Sequence, residues 1–228
     1  MAEPTLMIFT AVALEARAVA GALGMDCPGA GRGVRRQAGG HSVSIHLIGI
    51  RGKGVHDVPL PAEGASCVIM AGLAGALDPS LGIGDVVIDH VAEGMGVSLR
   101  ATRGRIYTSE RIVATPKEKA ELFASTEAIA VDMENSIVRE WARLHGVAFA
   151  AIRAISDRAD QSLDPAVLRL VDEWGRPRLA GIFRTLVRKP TLIPKLIRLG
   201  ADSKTAARQL GVAVSELVRE FEAKGASK

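Results

Sequence analysis

AIAVDMENSI at residues 128–137 and AAIRAISDRAD at residues 150–160 decide the fold that this sequence predicts. The first stretch opens with a short apolar run, typical of a β-strand, and then takes the apolar spacing of a helix that ends near Gly146. The apolar run at residues 147–155 is typical of a strand that is covered on both faces. A strand, a helix and a second strand in this order favour an α/β fold with parallel strands.

Acidic residues stand where these two strands end. Glu134 follows the first strand and Asp157 closes the second. Ligands of open α/β sheets bind beyond the carboxyl ends of the strands, so both carboxylates are expected to face one crevice. A Ser-Asp pair such as Ser156–Asp157 also commonly caps a following helix, and the residues alone leave that alternative open.

The motifs AVDMENS (residues 130–136) and RAISDRAD (residues 153–160) resemble the purine nucleoside phosphorylase and nucleosidase superfamily, especially its methylthioadenosine/adenosylhomocysteine nucleosidase branch. The resemblance extends along the chain to Asp160. It implies a single three-layer α/β domain with a mixed central sheet flanked by helices. It also implies an enzyme that cleaves the N-glycosidic bond of a purine nucleoside, without a cofactor, in a homo-oligomer.

The resemblance assigns roles to the matching residues. Asp157 is expected to protonate N7 of the leaving purine, with Ser156 orienting it, and Met133 and Glu134 are expected to bind the ribose. Glu15 follows the first strand and lies in the first turn of a helix, where the family has the glutamate that activates the attacking water. On residue physics alone, an acid at that position is accounted for by the helix dipole.

A glycine loop, GIRGKGV at residues 49–55, lets backbone N–H groups approach an anion. Arg51 and Lys53 could add charge there. Together with Gly52 in the same loop and Gly72 further along, they are the candidate nucleophile- or phosphate-binding residues. A plain tight turn is the alternative.

Two nucleophiles, water and phosphate, remain open. Family members commonly have Ser or Thr where this chain has Leu73, and phosphorolytic members have Arg near the position of Met70. Two usual phosphate donors are therefore missing, although inorganic phosphate is retained as a candidate co-substrate. Glu15 favours water.

Other predictions concern the remaining elements. A helix is expected to follow the glycine loop and end at Gly64, and a central strand is expected to end near Ala71 in a turn of small residues. The next strand is expected at residues 106–113, where, by resemblance, Ile112 and Val113 border the purine. A core strand without ligand contact is the alternative for the last two.

The composition excludes several classes of protein. At 228 residues and 48% hydrophobic, the chain is long and apolar enough for one folded domain. Two cysteines are too few for a disulfide framework, and the five histidines lack the spacing of a zinc helix, so no metal site is expected. No apolar stretch reaches the roughly 20 residues that span a bilayer. We expect a cytoplasmic protein, with or without contact with a membrane surface.

Residues 161–228 are expected to form a C-terminal helical extension of the domain that residues 1–160 begin. Its expected helices lie at residues 163–174, 179–187, 192–199 and 203–224. DEWGRPR at residues 172–178 and the basic helices after it resemble hopanoid-associated phosphorylases, which implies an adenosyl-hopane substrate and peripheral membrane contact. A solvated helix face is the simpler interpretation of the basic residues.

Residues 204–218 also resemble a helix-turn-helix, with Gly211 at the turn. A nucleoside-sensing or DNA-binding regulator is therefore the alternative function from a different class. The base-reading positions would be Ala213, Val214 and Ser215, which are poor readers of base edges. No nucleic acid partner is expected.

Overall fold

The structure is a computed structural model that describes residues 5–38, 40–62, 64–90, 99–163, 172–176 and 193–225. Within these ranges the strands are β1 (Thr5–Thr10), β2 (Gly33–Ala38), β3 (His41–Leu47), β4 (Cys67–Ala76), β5 (Val86–Asp89), β6 (Thr102–Arg103), β7 (Ile106–Thr108), β8 (Ala130–Asp132) and β9 (Ala148–Asp157). The α-helices are α1 (Ala13–Leu23), α2 (Pro116–Thr126), α3 (Asn135–Leu144) and α4 (Ile193–Gly225).

One mixed sheet contains all the strands of the described residues, in the order β2-β3-β1-β4-β9-β5-β6, with β8 joining β7 to the end of β4. β3, β1, β4 and β9 run parallel, whereas β5 is antiparallel to β9 and β8 is antiparallel to β4. Parallel strands at the centre bring the carboxyl ends of β1, β4 and β9 to one edge. The mixed central sheet is as the sequence predicts.

Three layers follow from the alternation of side chains along the central strands. In β1, Leu6 and Ile8 pack towards α1 and α4, whereas Met7 and Phe9 pack towards Trp141 of α3. Both faces of the sheet are therefore covered by helices, and the predicted three-layer α/β fold is confirmed.

The strand, helix and strand of the two organising motifs are β8, α3 and β9. Val138, Trp141 and Ala142 form the buried stripe of α3, and Leu144 is exposed. Gly146 has a positive φ of 66°, which ends the helix where the sequence predicts.

Three predicted elements differ from the structure. Only two short 3₁₀ turns, Ile50–Gly52 and Val55–Asp57, follow β3, because Pro59 and Pro61 disfavour a longer helix. The strand expected at residues 106–113 stops at Thr108, and the hydroxyl group of Ser109 donates to the carbonyl of Arg111 to close a turn.

β4 is the third difference, since it continues to Ala76 in place of the turn expected after Ala71. Its glycines leave room for charged side chains of β9. A Cβ atom at Gly72 would lie 2.0 Å from Arg153 Nη1, and one at Gly75 would lie 2.8 Å from Asp157 Oδ2. The small residues are needed inside the strand.

A helix-turn-helix is excluded, because α4 is continuous through Gly211. This glycine packs against α1, where an added Cβ would lie 2.8 Å from the carbonyl oxygen of Ala18. Leu210 and Val214 on either side of it are buried in the core. The glycine permits close contact between two helices.

The two helices expected at residues 192–199 and 203–224 are thus one. The helix expected at residues 179–187, most of that expected at residues 163–174, and residues 91–98 of the polar loop lie outside the described residues. No helix within the described ranges combines the length and the apolar character that a membrane span requires.

Candidate active site

A cavity of about 230 Å³ lies at the carboxyl ends of β1, β4 and β9. It is lined by seven of the residues that the sequence singles out: Glu15, Ile112, Val113, Met133, Glu134, Ser156 and Asp157. Its remaining side chains are mostly aliphatic, with Ile50 and Leu163 among them. The acidic residues of separate motifs therefore meet in one place.

Glu15 joins α1 to two strands. Its Oε2 accepts hydrogen bonds from the backbone N–H groups of Ala11 at 2.9 Å and Val12 at 3.0 Å, and its Oε1 accepts one from Leu73 in β4 at 2.8 Å. Burial raises the pKa of Glu15, while the charge of Arg153 and these backbone donors oppose the rise. The residue is both a helix-terminal acid and a wall of the cavity.

Arg153 is a fully buried cation in the middle of β9. Its Nη2 pairs with the carboxylate of Asp132 and lies 3.8 Å from Glu134 Oε2. Its Nε and Nη1 have no hydrogen-bond partner among the described residues. The position where Nη1 crosses Gly72 is also 2.9 Å from Glu15 Oε1, so Nη1 and Glu15 flank the same point.

Glu134 directly precedes α3 and has little exposure to solvent. Its Oε1 accepts a hydrogen bond from the backbone N–H of Arg51 at 3.0 Å. Burial raises the pKa of Glu134 to about 7, with Arg153 opposing the rise and Asp132 and Glu15 adding to it. This carboxyl group therefore titrates near neutral pH.

The glycine loop supports Glu134 with its backbone and turns its cations elsewhere. The guanidinium group of Arg51 donates to the carbonyl of Glu110, and Lys53 pairs with Glu173. Arg51, Gly52, Lys53 and Gly72, the candidate phosphate-binding residues, lie outside the lining of the cavity.

Asp157 is held on both carboxylate oxygens. Its Oδ1 accepts a hydrogen bond from the hydroxyl group of Ser156 at 2.9 Å, and its Oδ2 pairs with Lys119 Nζ at 2.6 Å. Lys119 is fully buried and also donates to the carbonyls of Arg158 at 2.6 Å and Gln161 at 3.3 Å. The expected orienting role of Ser156 thus has a matching contact, and Lys119 is an additional partner.

Comparison with known proteins now becomes informative. Residues 88–188 match the family model of the phosphorylase superfamily. The structure resembles 5′-methylthioadenosine/S-adenosylhomocysteine nucleosidase from Helicobacter pylori, with a TM-score of 0.69 and 17% identity over 96% of this chain and 100% of that chain. The chain has the fold of the phosphorylase superfamily.

Two further solved structures with this fold are similar. The nucleosidase of the same name from Neisseria meningitidis, in complex with methylthio-immucillin-A, has a TM-score of 0.66 and 20% identity over 94% of this chain and 98% of that chain. The futalosine hydrolase of Helicobacter pylori has a TM-score of 0.62 and 18% identity over 96% and 98%. Sequence comparison with curated proteins gives no significant match.

Sequence reasoning missed three residues of this phosphorylase-superfamily site. Lys119 lies on the same face of α2 as Leu122 and Phe123, which pack against the core, so a lysine on an apolar helix face was the available signal. Asp132 adjoins the recognised Met-Glu pair. Leu163 gave no signal.

Across the described part of the chain, no group of three or more His, Cys, Asp or Glu side chains could hold a metal ion. The cavity offers carboxylates, backbone groups and aliphatic walls. These groups can accept hydrogen bonds from hydroxyl groups, hold a water molecule and exchange protons.

Proposed function

We propose that this protein cleaves the N-glycosidic bond of an adenine nucleoside by hydrolysis and releases adenine. The observation that carries the proposal is the meeting of Glu15, Glu134 and Asp157 in one cavity of about 230 Å³. They come from three separate parts of the chain and converge at the edge of the sheet where ligands of α/β folds bind. Helix capping accounts for one such acid, but does not account for all three.

The reaction sets three tasks, and each acid suits one of them. Breaking the bond between C1′ and N9 leaves positive charge on the sugar and negative charge on the purine. Asp157, oriented by Ser156, would protonate the purine at N7. Glu134 would accept hydrogen bonds from the ribose hydroxyl groups. A water molecule held between Glu15 and Nη1 of Arg153 would attack C1′ and give its proton to Glu15.

Water is favoured over phosphate as the nucleophile. Among the described residues that line the cavity, Arg111 is the only basic one, and it is paired with Glu118 at 2.6 Å. A phosphate site needs charge-assisted donors, and the carboxylate of Glu15 would repel a phosphate dianion.

We propose further that the nucleoside has an apolar 5′ substituent, as adenosyl-hopane does. Ile50, Ile112 and Leu163 give the cavity an aliphatic wall. Residues 172–176, part of the stretch that resembles hopanoid-associated phosphorylases, support this wall, because the carbonyl of Glu173 accepts a hydrogen bond from the N–H of Ile50 at 2.8 Å. A place in hopanoid biosynthesis would follow.

We also propose a homo-oligomer and a peripheral contact of α4 with an anionic membrane surface. Lys195, Ile197 and Arg198 are exposed near the start of α4, which suits such a surface. Sedimentation of the protein alone and co-sedimentation with anionic vesicles measure the two properties separately.

The first experiment is to measure adenine release from adenosine and from 5′-alkylthio and lipid-linked adenosines, with and without phosphate. We expect release without phosphate, with free ribose derivative as the second product, and loss of release in Asp157→Asn. Asp160→Asn is the matched control, because Asp160 follows the same strand but is exposed and paired with Arg158.

Two outcomes would contradict the proposal. Release that requires phosphate and yields a ribose 1-phosphate would identify a phosphorylase. Binding of these nucleosides without release from any of them would favour a nucleoside-sensing module.

A further inference from the structure

The ion pair between Lys119 and Asp157 is unusual for the acid of the proposed reaction. The Lys119 side chain is fully buried, and that of Asp157 is 7% exposed. The two residues are 38 positions apart in sequence, so the pair is a tertiary contact between α2 and β9. It lies at the base end of the cavity, next to Ser156.

The hydrogen bonds of Lys119 indicate its protonation state. Nζ contacts three acceptors, which are Asp157 Oδ2 and the carbonyls of Arg158 and Gln161. An ammonium group has three N–H donors, whereas a neutral amine has two. Only the ammonium form satisfies all three acceptors, and it faces an acid whose other oxygen accepts from Ser156.

We infer that Lys119 is a positioning residue for the proposed glycosidic cleavage, because it holds Asp157 in place as a carboxylate. The inference rests on the proposed function. A positive charge at hydrogen-bond distance favours the ionised form of a carboxyl group. The acid form of Asp157 is therefore a minor state of the free protein, and Lys119 sets how minor it is.

The proton balance of the step follows. Asp157 takes up one proton from solvent while Lys119 remains an ammonium group. The bond between C1′ and N9 breaks with its electron pair moving to the purine, and the proton of Asp157 passes to N7. Neutral adenine leaves, Asp157 returns to the carboxylate, and Lys119 has neither gained nor lost a proton.

Other charged groups surround this pair and must be kept constant in a test. At the sugar end they are Glu15, Asp132, Glu134 and Arg153, and around the base end they are Arg111, Glu118, Arg158 and Asp160. The basic members Arg111 and Arg158 are paired with Glu118 and Asp160. A ratio between two proteins that share all of these groups cancels their titration.

The test is the ratio of kcat/KM for adenine release between Lys119→Gln and the wild type as a function of pH. Glutamine keeps hydrogen bonding to the carbonyls and removes the charge. We expect the ratio to rise with pH by about 10-fold or more, because the unpaired acid keeps its proton to higher pH. Lys119→Arg, which restores the charge, should give a flat ratio.

Lys117→Gln is the matched control, because Lys117 is in the same turn of α2 and its side chain is 87% exposed. It should leave the ratio flat and near one. If Lys119 only anchors the loop at residues 158–161, the ratio for Lys119→Gln will be low but constant. If Lys119 itself donates the proton, the ratio will fall with pH. Either result overturns the inference.

A second measurement needs neither turnover nor a variant that folds. The ¹³C chemical shift of the Asp157 carboxyl group in the free wild type, followed with pH, should report a carboxylate at neutral pH. A protonated carboxyl group at neutral pH would overturn the inference. Failure of the wild type to release adenine would instead overturn the proposed function, and the carboxyl shift would still be measurable.

Discussion

The two ends of the cavity use the same kind of side chain in opposite electrostatic settings. At the sugar end, Glu15, Asp132 and Glu134 are grouped around a single guanidinium group, that of Arg153. At the base end, Asp157 has the ammonium group of Lys119 to itself. Negative charge is in surplus at the first end and balanced at the second. The number of cations supplied, more than burial alone, decides which carboxyl groups hold a proton.

Removing the single cation of the sugar end should have the largest effect on stability. Arg153→Met would leave Asp132 buried beside Glu134 without a counter-charge. We expect a loss of about 3–5 kcal/mol in the free energy of unfolding, measured by denaturant titration. Arg143→Met, at an exposed position in α3, is the control and should change little. A stable Arg153→Met would show that the carboxylates of this end relieve one another by protonation.

Glu15→Gln separates the catalytic role of that residue from its structural role. Glutamine can still accept hydrogen bonds from the backbone of Ala11, Val12 and Leu73. We therefore expect the protein to remain folded, while the rate of adenine release falls by about 10²–10⁴-fold because the water loses its base. An unchanged kcat would mean that Glu15 serves only the start of α1.

Glu134 should make stability depend on pH. Between about pH 4.5 and about pH 7, the folded protein binds a proton at Glu134 that the unfolded chain releases, because burial raises the pKa of Glu134 to about 7. The folded state then binds more protons, so its stability falls as pH rises through this window. The fall is about 3 kcal/mol at most.

Glu134→Gln should remove this part of the pH dependence, measured by denaturant titration at several pH values. Glu140→Gln, at an exposed position in the same helix, should retain it. An equal dependence in the wild type and Glu134→Gln would mean that the sugar end is not short of positive charge.

The smallest expected effect concerns the helix that brings Lys119 to the base end. The hydroxyl group of Thr115 accepts a hydrogen bond from the N–H of Glu118 at 3.2 Å and begins α2. Thr115→Ala should lower the free energy of unfolding by about 1 kcal/mol. It should leave the pH dependence of adenine release unchanged, since the buried pair remains. A changed pH profile would indicate that the pair depends on the end of the helix.

Local patterns were sufficient to predict β8, α3 and β9, because apolar period and a helix-ending glycine act over a few residues. They also brought Glu15, Glu134 and Asp157 to one sheet edge, since strand direction fixes that edge. Lys119 could not be assigned in this way, because its partner is 38 residues away and nothing in α2 marks it except an apolar face.

Glycine was the residue whose meaning the sequence left most open. Gly72 was interpreted as part of an anion-binding loop and Gly211 as a turn. In the structure, the first makes room for Arg153 and the second for the backbone of α1. Both are places of close approach between distant segments, which local sequence does not encode.

The short segment at residues 172–176 has a consequence for how such a protein can diversify. Its carbonyl groups accept hydrogen bonds from the N–H groups of Ala13 and Ile50, so it fixes two rims of the cavity from a position late in the chain. Mutations there alter the shape of the opening while the acids keep their own contacts. Substrate range can therefore evolve separately from bond-breaking chemistry.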